Sequence, residues 1–242
     1  MDRLHSVNAG DTQRRPWIVG VSGASGTPYA ASVLRGLLAA GESVDLVVSR
    51  ASRLTLLDET GISFRDAHWR DDLGAWLARG ADGKPGTFRV RTDDVRYWAA
   101  GDLAAGPSSG SYATKGMLIV PASTACVAGV ALGLSKDLLQ RSASVTLKER
   151  RRLVVCVRET PLNGQTLKHL VGLDEAGAIV LPASPAFYAG ATHIQDLVDF
   201  VAGRVLDAAG VPHELYRRWE GELGGASGAG GSRPAEGGSG GA

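Results

Sequence analysis

The chain has 242 residues, of which 44% are hydrophobic, and this suits one α/β domain with a sizeable core. Its 26 basic and 25 acidic residues give a formal charge of +1, which argues against a nucleic-acid or anionic-membrane partner. No apolar run reaches the ~18 residues of a membrane span, and the polar start lacks the apolar core of a signal peptide. We therefore expect a cytoplasmic protein whose cysteines, Cys126 and Cys156, are buried reduced thiols.

The two ends of the chain differ in composition from the middle. Residues 1–15 are polar, and residues 221–242 are rich in glycine and serine. Neither end can bury enough apolar surface to offset the entropy lost on ordering. We predict a flexible N-terminal arm, one domain over residues 16–220, and a disordered tail.

Between the ends, apolar segments typical of strands alternate with segments of helical spacing. Strands are predicted at residues 17–21, 44–48, 117–120, 153–157 and 178–181. Helices are predicted at residues 29–40, 51–59, 71–78 and 194–209, and a further helical segment begins at Ser123. Pro121 is expected to end the strand that precedes it. This alternation predicts a three-layer αβα fold, Rossmann-like or flavodoxin-like, with a mainly parallel sheet covered on both faces.

Ligands of such sheets bind beyond the carboxyl ends of the strands, and a glycine-rich segment follows the first strand. Residues 20–27 read GVSGASGT. Glycines permit a tight turn and a close approach to a ligand, and the N–H groups at a helix start favour an anion. The spacing is neither that of a P-loop nor G-x-G-x-x-G. Two interpretations stay open: a nucleotide site, or merely a tight turn.

Hydroxyl side chains follow two other predicted strands. Ser49 ends the second strand, and Ser123 and Thr124 come after the strand at 117–120. Taken alone, each hydroxyl is explained as a helix cap, although each also suits an anion. Three such turns in one domain exceed what capping requires.

Charged residues form a further group. Arg141 and Lys148 lie seven positions apart, hence on one face of a helix. Arg158 and Glu159 follow a buried strand, where a glutamate among cations is a plausible proton donor to a leaving phosphate. The alternative is that the run at 148–152 is simply a solvated surface.

Three more positions allow two interpretations each, and one further segment is predicted as a loop. Tyr188 ends a proline-containing loop and is either a packing aromatic or a binding residue. Arg204, on the last helix, is either a surface charge or a ligand for an anion. Trp219 is either a core anchor or a subunit contact. The segment 106–111 is by composition a flexible polar loop.

Six segments in this order resemble the UbiX family of flavin prenyltransferases. They are VSGASGTPYA at 21–30, SSGS at 108–111, PASTACVAGVALG at 121–133, LLQRSASVTLKERRRLVVCVRETPL at 138–162, LPASPAFY at 181–188 and DLVDFVAGRVLDAAGV at 196–211. The resemblance extends from about Pro16 to Glu220.

The resemblance implies roles for individual residues. FMN is expected at Gly23, Ala24, Ser25, Gly26, Ser49, Ser123, Thr124, Ala125, Cys126 and Arg158. A prenyl phosphate is expected at Ser109, Arg141, Lys148, Tyr188, Arg204 and Trp219. Glu159 is expected to assist departure of the phosphate, Glu59 to lie near the reactive N5 of the flavin, and Ser25 to take part in catalysis.

The resemblance also implies a reaction and partners. In the family, dimethylallyl monophosphate loses phosphate, and its prenyl group joins N5 and then C6 of reduced FMN. We therefore expect a metal-independent prenyltransferase, assembled as a dodecamer in which several donor-binding residues reach a neighbouring subunit's site. A UbiD-type decarboxylase is the expected recipient of the prenylated FMN. The sequence leaves open whether the donor is a monophosphate or a diphosphate.

One position departs from the family pattern, and two other functions stay open. Leu103 stands where the family usually has a tryptophan before the SGS loop, and leucine lacks the π face that stabilises an allylic cation. An FMN-dependent decarboxylase of the cysteine-decarboxylase group would need an active-site histidine. A non-catalytic, flavin-carrying accessory subunit would need no cluster of phosphate-binding cations.

Overall fold

A six-stranded sheet organises the protein, as the computed structural model shows for residues 14–88, 92–219 and 221. Its strands are β1 (Trp17–Val21), β2 (Val44–Val48), β3 (Val95–Ala99), β4 (Gly116–Ala122), β5 (Arg152–Val157) and β6 (Ile179–Pro182). All neighbouring strands pair in parallel, in the order β3-β2-β1-β4-β5-β6. This is the doubly wound Rossmann order, with its topological switch point between β1 and β4.

Helices cover both faces of the sheet and confirm the predicted αβα layering. The helices are α1 (Thr27–Ala39), α2 (Arg50–Thr60), α3 (Trp69–Leu77), α4 (Thr124–Ala131), α5 (Leu138–Lys148), α6 (Gly164–Glu175) and α7 (Ile194–Ala209). Side chains of α1, α2, α3 and α7 share one apolar core, and those of α4, α5 and α6 share the other. None of the described helices combines the length and the apolar character that crossing a bilayer requires.

Hydrophobic periodicity predicted the buried strands and helices more accurately than the strand at the edge of the sheet. The strands at 17–21 and 44–48 and the helix at 194–209 have their predicted bounds. Strand β3 was not predicted, because it is a partly exposed edge strand with the mixed sequence VRYWA. Helix α6 was missed as well.

Pro121 does not end its strand, so that prediction was wrong. Strand β4 continues to Ala122. Its register against β5 shifts between Ile119 and Ala122, and an irregularity of this kind accommodates a residue without an N–H donor.

Both cysteines are buried free thiols, as predicted. Burial raises the pKa of Cys126 and of Cys156 to about 12. Each therefore packs as a small apolar side chain, and neither is set up as a thiolate nucleophile.

The predicted arm and tail fall mainly on residues 1–13 and 222–242, which lie outside the described part of the chain, so both stay predictions. Arg14 is the first described residue, and it contacts a fully buried carboxylate in β2. Its Nη1 donates to Asp45 Oδ1 at 2.6 Å, and its Nη2 donates to the carbonyl oxygen of Val44 at 2.9 Å. Tyr112 donates its hydroxyl to the other oxygen of Asp45 at 2.8 Å. A buried carboxylate needs these partners because burial strips it of water.

Replacing Arg14 with alanine should lower the free energy of unfolding by about 2 kcal/mol, because Asp45 stays buried with Tyr112 as its one remaining side-chain partner among the described residues. Urea denaturation measures this, and Arg15→Ala is the matched control because Arg15 is exposed. Equal losses in the two variants would show that the ion pair contributes nothing to stability.

Candidate active site

The carboxyl ends of β1 and β4 form a crevice, because the helices that follow them pack on opposite faces of the sheet. Ser22, directly after β1, bridges the two strand ends. Its hydroxyl donates to the carbonyl oxygen of Pro121 at 2.8 Å and accepts from the backbone N–H of Ser123 at 2.7 Å. The turns after β1 and β4 are therefore fixed relative to each other.

Two helix N-termini open into a cavity of about 470 Å³ beside this junction. Ser49 caps α2 by accepting from the N–H of Ser52 at 3.1 Å, and Ser123 caps α4 by accepting from the N–H of Cys126 at 3.3 Å. The remaining first-turn N–H groups of a helix have no acceptor within that helix, so both ends favour an anion. Both serines are thus caps, as the simpler interpretation held, and both also line the cavity.

The glycine-rich turn lies between these helices and tolerates no side chain at Gly23. A Cβ added there would lie 2.5 Å from the Cβ of Ala51, at the start of α2. Gly26 has φ +116°, in the left-handed region that glycine adopts without strain. The turn therefore needs glycine at position 23 because α2 lies so close, and at position 26 because the backbone there is left-handed.

Glu59, at the end of α2, clamps the same turn. Its two carboxylate oxygens accept from the N–H groups of Gly26 and Thr27, both at 2.8 Å, and from the hydroxyl of Thr27 at 2.6 Å. A carboxylate at this position also complements the positive end of the α1 dipole. Glu59 therefore stabilises the conformation of the glycine-rich turn. Its expected role near the N5 atom of a flavin stays a prediction.

A second cavity, of about 530 Å³, lies on the far side of the turn. Its lining includes Ser25, Glu59 and Arg158, together with apolar residues of α7. Tyr29 also lines it, and its position in α1 was not singled out from the sequence. Burial is the main cause that raises the pKa of Tyr29, while the charge of Arg158 opposes the rise and that of Glu59 adds to it. Tyr29 thus lies close to a cation and a carboxylate of one cavity.

Arg158 and Glu159 follow β5 beside these cavities. The N–H of Arg158 donates to the carbonyl oxygen of Ala122 at 3.1 Å, which places the residue next to the end of β4. The side chain of Glu159 is exposed, and it accepts a hydrogen bond from the N–H of Thr160 at 3.0 Å. Glu159 is thus accessible for proton transfer but is not among the residues that line either cavity.

The expected donor-binding residues fall into two groups within the chain. Ser109, Arg141 and Lys148 form the α5 group: Arg141 Nε donates to the carbonyl oxygen of Ser108 at 3.1 Å, and Lys148 pairs with Glu149. Ser109 shares a 2.9 Å hydrogen bond with the hydroxyl of Ser111.

Tyr188, Arg204 and Trp219 form the α7 group. The rings of Tyr188 and Trp219 meet edge to face with centroids 5.6 Å apart. Arg204 forms an ion pair with Asp207 at 3.1 Å. Helices α5 and α7 lie on opposite faces of the sheet, and within the described residues no hydrogen bond, ion pair or ring contact joins the two groups. One chain therefore does not bring all six residues together.

Comparisons with known proteins agree with this geometry. A profile of the Flavoprotein family matches residues 5–206. A flavin prenyltransferase UbiX of Streptomyces coelicolor is 87% identical over 211 residues, which cover 87% of this chain and 98% of the relative. A flavin prenyltransferase UbiX of Synechocystis is 41% identical over 215 residues, which cover 86% of this chain and 98% of the relative. The chain belongs to the UbiX family of flavoproteins.

Solved structures of UbiX relatives share the fold. AnUbiX (PadA1), crystallised with FMN and dimethylallyl pyrophosphate, matches with a TM-score of 0.71 and 33% identity, covering 87% of this chain and 100% of the other. A dodecameric FMN-dependent UbiX-like decarboxylase of Escherichia coli O157:H7 has the same TM-score and identity, covering 85% of this chain and 100% of the other. The predicted family and fold are confirmed.

Changing Gly23 to alanine should weaken FMN binding by about tenfold or more, because the new Cβ pushes the turn away from Ala51. Titration of FMN by fluorescence measures this. Gly74→Ala is the matched control, since a Cβ at that helical position meets nothing within 4 Å. If FMN binds the Gly23 variant as tightly as the control, the turn is not part of the flavin site.

Proposed function

We propose that this protein is a flavin prenyltransferase that joins the dimethylallyl group of dimethylallyl monophosphate to N5 and C6 of reduced FMN. The observation that carries the proposal is the crevice between β1 and β4. There, two capped helix N-termini and a glycine-rich turn favour an anionic ligand, and Arg158 lines the neighbouring cavity. The name of the Streptomyces coelicolor relative, at 87% identity, supports the same reaction.

The residues around the crevice fit an FMN phosphate and its ring system. Ser49 and Ser123 each keep a cavity-lining position while capping a helix, so the anionic end of FMN is held at the N-termini of α2 and α4. The turn at 23–26 packs closely against the start of α2 because Gly23 has no side chain. The net charge of the chain is only +1, so an anion must be attracted by local cations. Arg158 is such a cation.

In the proposed reaction, the C–O bond of the donor breaks, and phosphate leaves with the bonding electrons. Two bonds to reduced FMN form in exchange: N5 gives up its proton as it bonds to the prenyl carbon that lost phosphate, and C6 gives up its proton as it bonds to the far end of the allyl group, whose double bond takes up a proton. Arginine and lysine side chains stabilise the charge that develops on the phosphate, and Glu159 transfers a proton to or from it. Glu59 maintains the turn in which Ser25 faces the cavity.

The split of the donor-binding residues supports an oligomer as the active form. The α5 group and the α7 group lie on opposite faces of one sheet, so a complete set requires a second copy of the chain. We propose a cytoplasmic homododecamer in which neighbouring copies complete each site, and the E. coli relative is described as dodecameric. We also propose that the prenylated FMN passes to a UbiD-type decarboxylase.

Decarboxylation of a cysteinyl substrate is the competing reaction. It requires a histidine in the active site, and no described histidine lines either cavity beside the turn. A carrier without catalysis would bind FMN but would have no use for the exposed Glu159 beside Arg158.

The deciding experiment is anaerobic incubation of the protein with reduced FMN and dimethylallyl monophosphate, following phosphate release and the mass of the flavin. A flavin heavier by one prenyl unit, with phosphate released, is the expected result. The diphosphate is tested in parallel because the AnUbiX crystal contains it. Bound but unmodified flavin with both donors would support a carrier, and carbon dioxide from a cysteinyl peptide would support the decarboxylase.

Glu159→Gln should slow prenyl transfer by about 100-fold, a typical loss when a general acid or base is removed. FMN affinity should stay within about twofold, because the side chain contacts only the N–H of Thr160 among the described residues. Single-turnover kinetics and flavin titration measure the two quantities. Glu175→Gln, on the exposed surface of α6, controls for the loss of a carboxylate. Unchanged turnover in the Glu159 variant would remove this residue from the mechanism.

A further inference from the structure

Asp207, in the last turns of α7, collects an unusual number of donors. Its side chain is 18% exposed and receives hydrogen bonds or ion pairs from four residues. These are Arg204 Nη1 at 3.1 Å, Tyr216 Oη at 2.5 Å, His213 Nε2 at 3.1 Å and Arg218 Nη2 at 2.8 Å. Three of the four lie beyond the end of α7, so one carboxylate ties the following segment back to the helix.

That segment, residues 211–219, is called here the C-terminal strap. It lies against α7 where Gly203 leaves room: an added Cβ would be 2.5 Å from Tyr216 Cδ1 and 2.7 Å from His213 Cε1. Gly203 and Asp207 are four positions apart and therefore share a helix face. The strap is thus held against α7 by close packing at Gly203 and by hydrogen bonds to the carboxylate of Asp207.

The proton on His213 is assigned by its surroundings. The N–H of Leu215 donates to His213 Nδ1 at 3.2 Å, so Nδ1 must accept and the ring proton lies on Nε2. That proton is donated to Asp207 Oδ1. Although burial by itself would raise the pKa of Asp207, hydrogen bonds from Arg218 and Tyr216 and the nearby positive charges lower it to about 2. The carboxylate is therefore ionised throughout the neutral range.

The strap reaches the α7 group through a chain of aromatic contacts. Tyr216 packs on Phe200 with ring centroids 4.8 Å apart, and Phe200 meets Tyr188 edge to face at 5.8 Å. Tyr188 in turn meets Trp219, the last residue of the strap, at 5.6 Å. The hydroxyl of Tyr216 also accepts from Arg204 Nη1 at 3.4 Å. Both the cation and the aromatic rings of the group are thus linked to Asp207.

We propose that Asp207 is a positioning residue for prenyl transfer: it fixes the guanidinium of Arg204 and docks the strap that places Trp219 beside Tyr188. This inference rests on the proposed function. Asp207 does not contact the donor in this scheme and acts only through residues that do. Its negative charge repels a phosphate. Loss of a positioning role would therefore weaken donor binding, whereas loss of the repelling charge alone would strengthen it.

The test is Asp207→Asn in the full-length protein, with Asp174→Asn, an exposed aspartate of α6, as the matched control. The variant keeps the shape of the side chain but loses its charge and half of its acceptor capacity. Hydrogen exchange of peptides spanning 211–219 reports docking of the strap. Steady-state kinetics give KM for dimethylallyl monophosphate, and titration gives FMN affinity.

We expect faster exchange in the strap, a KM for the donor about tenfold higher, and FMN affinity within about twofold of the wild type. A lower KM would show that Asp207 acts only as a competing charge. Faster exchange with an unchanged KM would reduce it to a structural role. Either result overturns the inference while leaving the proposed function intact, whereas a wild-type protein that releases no phosphate would reject the proposed function itself.

Tyr216→Phe gives a second route if the Asp207 variant does not fold. It removes the hydroxyl shared by Asp207 and Arg204 but keeps the ring on Phe200. We expect an intermediate rise in the donor KM, with the strap as protected from exchange as in the wild type. A donor KM equal to that of the wild type would overturn the proposed link between Asp207 and Arg204.

Discussion

The hydroxyl of Ser22 lies at the topological switch point between β1 and β4, and the shape of the crevice beside it depends on the hydrogen bonds of this residue. It is buried between β1 and β4 and bonds to Pro121 and Ser123 of the neighbouring turn. Backbone and side chain of Ser22 together set the distance between the two turns, because its N–H also donates to the carbonyl oxygen of Pro121, at 3.2 Å. The place at which an anion is favoured follows from these bonds of Ser22, together with the two helices that begin beside it.

The glycine-rich turn shows how a ligand loop is kept rigid without a ligand. Glu59 accepts three hydrogen bonds at the start of α1, and Gly23 lies directly against Ala51. A preorganised turn loses little conformational entropy when FMN binds, which favours affinity. The same carboxylate lines the second cavity, so the support of the turn and the chemistry beside it share a residue.

The residues proposed to bind the prenyl donor are divided between the two helical layers. Arg141 and Lys148 belong to the layer of α4 and α5, and Arg204 belongs to that of α1 and α7, with the sheet between them. In the proposed oligomer, such a site would be completed only on assembly, which would couple catalysis to oligomer formation. Within the α7 layer, Asp207 pairs with Arg204 and bonds the C-terminal strap to the same helix.

The sequence by itself determined the layer architecture, most buried strands, the glycine-rich turn after β1 and the family, because these depend on local periodicity and on contiguous motifs. It could not determine the edge strand β3, whose side chains do not alternate cleanly, or the continuation of β4 through Pro121, which a register shift permits. Ser49 and Ser123 could be predicted as helix caps after strands, but only the tertiary structure showed that they line one cavity together. The clamp by Glu59 and the network around Asp207 join residues up to 33 positions apart, and no local pattern encodes such contacts. Packing decided them, because it alone brings distant side chains within hydrogen-bonding distance.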